Sequence, residues 1–116
     1  MTDTTMDLVD VSIDLLSALL DSASTDVIGV ANWWHRAQTA LETGAAGGEN
    51  AGHAITIAAR KLQIDTLSEK SAKTVARVAP ILDTHWADWV ETIARESVYI
   101  VALTRVTRSE KKAATK

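Results

Sequence analysis

The stretch DLVDVSIDLLSALLD, residues 7–21, decides the fold. On a helix, Asp7, Asp10, Asp14 and Asp21 fall in one narrow sector, together with Asp3 just upstream. Leu8, Val9, Val11, Ile13, Leu15, Leu16, Leu19 and Leu20 fill most of the remaining circumference. The spacing predicts a helix from about Thr5 to Asp21, buried on most sides and showing a single acidic stripe. The aspartates near its start also suit the positive end of the helix dipole.

Working outward, each following segment reads as another helix. Ser24 or Thr25 is placed to cap a second one, running to about Thr43 with Gly44 just past its end. Val27, Val30, Trp33, Trp34, Ala37 and Leu41 share one broad face of it, Asn32, Arg36 and Thr39 lie opposite, and His35 sits at the boundary. The segment TGAAGGENAG, residues 43–52, reads as a mobile loop between two helical hairpins. It has neither the Gly-x-Gly nor the Gly-Lys-Ser/Thr pattern of a phosphate loop.

A third helix is predicted from about Ala51 to Asp65. A fourth is capped by Thr66 with Glu69 three residues on, and runs to about Ala79. Its inner face takes Ala72, Val75, Ala79 and Leu82, and Lys70, Lys73 and Arg77 line the other side. Pro80 ends it or begins the next element. Asp83 or Thr84 then caps a last helix to about Arg108, with Trp86, Trp89, Val90, Ile93, Ser97, Ile100 and Thr104 as its stripe. The end of that helix is expected to project from the bundle, with a frayed basic tail over about 109–116. The fold class is therefore all-α: an antiparallel bundle of four to five helices in a single domain spanning residues 1–116.

Composition narrows function by exclusion. The chain of 116 residues contains no cysteine, which removes disulfides, thiolate metal sites and cysteine nucleophiles. No apolar run approaches the ~20 residues of a membrane span, and MTDTTMDLVD lacks the pattern of a signal peptide. A cytoplasmic protein without a membrane partner is expected. The three histidines, His35, His53 and His85, follow Asn32, Asn50 and Leu82 at the third position before them, so Glu-x-x-His pairs are absent. No metal, cofactor, catalytic residue or small-molecule substrate is expected, and the chain reads as no enzyme.

Charge is distributed unevenly. Residues 1–50 carry a net −7 and residues 51–116 a net +4, an asymmetry that suggests a charged partner or self-complementary assembly. The four tryptophans stand out in a chain with one tyrosine and no phenylalanine. Trp34 and Trp86 are expected in the core, whereas Trp33 and Trp89 are expected at an edge where aromatic residues anchor a partner.

The leading functional expectation is a small non-enzymatic interaction or assembly protein, self-associating or a subunit of a larger complex such as bacterial and phage accessory proteins form. Its partner-binding candidates are Trp33, Trp89, His35, Asp7, Asp10 and Asp14. One alternative is a nucleic-acid-associated subunit using Lys70, Lys73 and Arg77 with Arg105, Arg108, Lys111 and Lys112, and Arg60 and Lys61 nearby. Another is an inhibitor or immunity-type protein that presents the acidic stripe to a basic partner.

Overall fold

The computed structural model describes residues 4–23 and 30–114, with side chains described for 7–23 and 32–109. Five α-helices make up the described chain: α1 (Thr4–Ser22), α2 (Val30–Gly47), α3 (Ala51–Lys61), α4 (Glu69–Thr84) and α5 (Trp86–Ala114). The radius of gyration, 13.3 Å, is that of one compact domain of this length. The capping expected of Ser24 or Thr25 lies outside the described residues.

The bundle is organised around α5. This helix packs against both α1 and α2, α4 closes over the other side of α1, and α3 pairs with α2. The apolar girth of α1 finds cover accordingly: Leu8, Leu15, Leu16, Leu19 and Leu20 are all buried. The predicted α5 stripe is also dry, with Trp89, Ile93, Ser97, Ile100 and Thr104 buried. Its hydroxyls are satisfied without water. Thr104 donates to the Ile100 carbonyl at 2.7 Å, and Ser97 donates to Glu42 on α2 at 2.6 Å.

Several expected boundaries are displaced, each for a local reason. The glycine-rich segment is mostly helix: α2 continues through Gly44 to Gly47, and only residues 48–50 separate it from α3. The segment does not divide two hairpins but makes one, because α2 and α3 pack closely across it. A Cβ on Gly44 would lie 2.5 Å from the Ala54 carbonyl oxygen, and one on Gly48 would lie 2.8 Å from the Ala54 backbone. Glycine is needed at both positions for the approach of the neighbouring backbone. Asn50 caps α3 by accepting from the His53 amide at 2.9 Å.

The third helix stops at Lys61, short of the expected Asp65. Gln63 adopts a left-handed conformation with φ of 58°. The Ile64 amide then reaches the Ala59 carbonyl at 2.9 Å and the Gln63 amide reaches that of Arg60 at 3.1 Å, a Schellman termination. No glycine marks this stop in the sequence. On α4 the N-cap is Ser68 rather than Thr66, with its hydroxyl accepting from the Ser71 amide at 3.2 Å. The buried face of the helix takes Ser71 and Val78 with Leu82, and Ala72 is exposed. Pro80 lies inside α4 and is exposed, as is Ala76, whose carbonyl loses its helical donor on the side open to solvent.

Asp83 does not cap the last helix. Its carboxylate accepts from the Ala51 amide at 2.8 Å, at the start of α3, where negative charge is favoured. Asp83→Ala is expected to lower stability by ~0.5–2 kcal/mol, read as a lower urea midpoint with unchanged slope. The end of α5 remains helical past residue 109. The helix continues to Ala114, and Arg108 is fastened to α1 through the Ser17 carbonyl at 3.3 Å and Asp21 at 2.6 Å. No described helix is long and apolar enough to cross a membrane.

Candidate functional site

The four tryptophans separate into two pairs with different fates. Trp86 and Trp89 are neighbours with ring centroids 5.3 Å apart. Trp89, expected at an edge, is instead the largest fully buried side chain, 1% exposed. It lies in the first turn of α5, where that helix packs against α1. Its indole N–H donates to Ser12 at 2.8 Å, and Ser12 donates in turn to the Leu8 carbonyl at 2.7 Å. Trp89 is therefore a core residue and offers no surface to a partner. Trp86, expected in the core, is only half-buried.

Trp33 and Trp34 form the second pair, with centroids 5.4 Å apart and planes tilted by 40°. Both are half-buried, so Trp33 keeps the edge position expected of it and Trp34 joins it there. The end of α5 lies across them. Arg105 sits 5.6 Å from the Trp34 ring centroid and Arg108 the same distance from that of Trp33, both within range of cation–π attraction. The Trp33 indole N–H is buried without an acceptor among the described residues, an arrangement that costs ~1–3 kcal/mol.

These groups line a cavity of about 520 Å³ at the end of the bundle where α1, α2, α4 and α5 converge. Lys70 of α4 reaches it from one side, and Ser17 and Asp21 of α1 from another. Thr107 and Ser109 add hydroxyl-bearing side chains beside the two arginines. The structure thus gathers three residues of the expected basic surface, Lys70, Arg105 and Arg108, around a tryptophan pair of which only Trp33 is expected from sequence at a partner edge. Nothing in the sequence spacing signals this, since Trp33 and Arg108 are brought together only by the crossing of α5 over α2.

The remaining candidates are dispersed. Arg77 forms an ion pair with Asp14 at 2.9 Å, and Lys73 pairs with Glu69 at 3.6 Å. The basic face of α4 is therefore largely engaged within the chain. Lys111 and Lys112 fall on the last turns of α5, and their side chains lie outside the described ones. The acidic stripe is exposed as expected, but Asp14 and Asp21 are held by Arg77 and Arg108. The opposite charges of the two halves of the chain meet within one molecule. Asp7 and Asp10 line a second cavity, of about 410 Å³, with Arg77, Ile81 and His85. His35 is exposed beside Arg36, Thr39 and Lys61, away from the tryptophan cavity. Among the described residues no three histidine, aspartate or glutamate side chains are grouped as metal ligands.

One surface that the sequence did not single out is the outer side of α5. Among the described residues the exposed large hydrophobic side chains are Ile81, Val98, Tyr99 and Val106. The last three share α5, with exposed Ala102 between them. The periodicity that marked the inner stripe drew attention away from this weaker outer one.

Compared with protein-family models, with curated proteins and with solved structures, the chain matches none.

Proposed function

We propose that this protein is a non-enzymatic assembly protein that associates with a second copy of itself through the outer face of α5. The observation that carries the reading is the exposed apolar stripe of Val98, Ala102 and Val106, with Tyr99 beside it. Apolar groups at such spacing on an exposed helix gain by docking against a matching face.

A second copy fits this stripe because the pattern is its own complement. In an antiparallel pair centred on Ala102, Val98 of each copy faces Val106 of the other, and the alanine permits close approach at the crossing. Arg95 then lies opposite Ser109, and no like charges meet between these positions. Such an isologous contact is the commonest route to a homodimer. The ion pairs of Asp14 with Arg77 and of Asp21 with Arg108 engage side chains on which the nucleic-acid and inhibitor readings rely, so both have less to stand on.

Light scattering on a sizing column at micromolar concentration tests the reading. A dimer is expected for the native chain, and the double variant Val98→Glu/Val106→Glu is expected to run as a monomer with an unchanged helical circular-dichroism spectrum. A native chain that is monomeric throughout, or a variant that remains dimeric, would overturn it.

A further inference from the structure

We propose that the cavity at Trp33 and Trp34 is a nucleotide site, with the phosphate held by Lys70 and Arg105 and the base packed against the tryptophan pair. This site is distinct from the outer face of α5 and does not require self-association. Its lining combines two indoles with three cationic side chains, Lys70, Arg105 and Arg108. The single carboxylate among the lining residues, Asp21, is already bonded to Arg108 at 2.6 Å. Lys70 and Arg105 have no ion-pair partner among the described residues, so the described lining holds more cations than carboxylates.

Several features select a phosphate over other anions. Its oxygens accept from many directions, which suits an ammonium, a guanidinium and nearby hydroxyls that converge from different helices. A carboxylate would use fewer of these donors. The Arg105 guanidinium is held near the Trp34 ring, 5.6 Å from its centroid, so less rotamer freedom remains to be lost on binding. Arg108, fixed through one nitrogen to Ser17 and Asp21, retains further N–H donors.

The second half of the ligand follows from size and surface. A space of about 520 Å³ exceeds what a phosphate alone fills and lies in the range of small-molecule sites. The half-buried indoles and the guanidinium groups over them give π surfaces against which a nucleobase packs regardless of its sequence identity.

Isothermal titration of the full chain with AMP, inorganic phosphate and adenosine in separate runs tests this, at low and at moderate salt. AMP is expected to bind with a dissociation constant at or below ~1 mM, phosphate more weakly, and adenosine not measurably. Added salt is expected to weaken AMP binding. Lys70→Gln/Arg105→Gln, with its fold verified by circular dichroism, is expected to weaken AMP at least ~10-fold, since two charged contacts are lost. Trp34→Leu is expected to weaken AMP more than it weakens phosphate. Adenosine binding as well as AMP, or full AMP affinity in the Lys70/Arg105 variant, would overturn the phosphate assignment. AMP binding no better than phosphate would overturn the base contact, and no binding of either would overturn the site.

Discussion

Replacing Trp89 with alanine is expected to lower stability by ~3–5 kcal/mol, a large part of the total for a domain of this size. The indole is 1% exposed and lies where α5 packs against α1, so its removal leaves a cavity that rigid neighbouring helices cannot close. It also removes the donor to Ser12. Chemical denaturation followed by circular dichroism measures the loss. Ser12→Ala provides the internal comparison: it keeps the indole but leaves its N–H without a partner, and is expected to cost ~1–3 kcal/mol. The two losses should not add, because both act on one hydrogen-bonded pair. A Trp89→Ala variant within ~1 kcal/mol of the native chain would contradict its place at the centre of the core.

Gly44→Ala carries the second large effect, and its sign is the informative part. In the middle of an exposed helix this substitution stabilises by about 1 kcal/mol. Here the new methyl group would lie 2.5 Å from the Ala54 carbonyl oxygen, and the atoms in its way belong to the backbone. No side-chain rotation relieves that overlap, so α3 must move away from α2. A net destabilisation of ~1–3 kcal/mol is expected, visible as a fall in the thermal midpoint. Gly47→Ala is the control on the same helix, since its added methyl meets only the end of Ile57 at 3.5 Å, an ordinary contact. Gly44→Ala should therefore destabilise and Gly47→Ala should not.

The contrast between those two glycines explains where sequence reasoning succeeds and fails in this protein. The stripes of α1 and α5 are legible because burial on one face imposes a period that the residues must obey. Leu8, Leu15, Leu19, Ile93, Ile100 and Thr104 all lie where the period puts them. Gly44 and Gly48 carry no such mark. A glycine that ends a helix and one that admits a neighbouring backbone are the same letter, and only the neighbour distinguishes them. The phase of α4 fails for a related reason: Ser71 and Ala72 are both small, and only the neighbouring helices decide that Ser71 is the one turned into the core.

The tryptophans expose a further limit. Trp86 and Trp89 both belong to the apolar stripe of α5, yet only Trp89 is fully covered and bonded to α1, a difference set by tertiary packing. The candidate cavity is harder still to foresee, because its lining comes from four helices and its cations from positions 70, 105 and 108. The ion pairs that neutralise part of the acidic stripe join α1 to α4 and α5. Charge counting along the chain reveals the imbalance between its halves but not that they meet within one molecule.

The position of α5 between α1 and α2 bears on the birth of the protein. A helix made after the other four supplies the cover for α1, through links such as Trp89 to Ser12 and Arg108 to Asp21. While α5 is still inside the ribosome, the leucines of α1 have only part of their final shelter. The hairpin of α2 and α3 has what it needs to form early, but the core must wait until α5 has emerged. Closure is thus a late, long-range event, and during synthesis the exposed apolar face of α1 is the segment most in need of a chaperone.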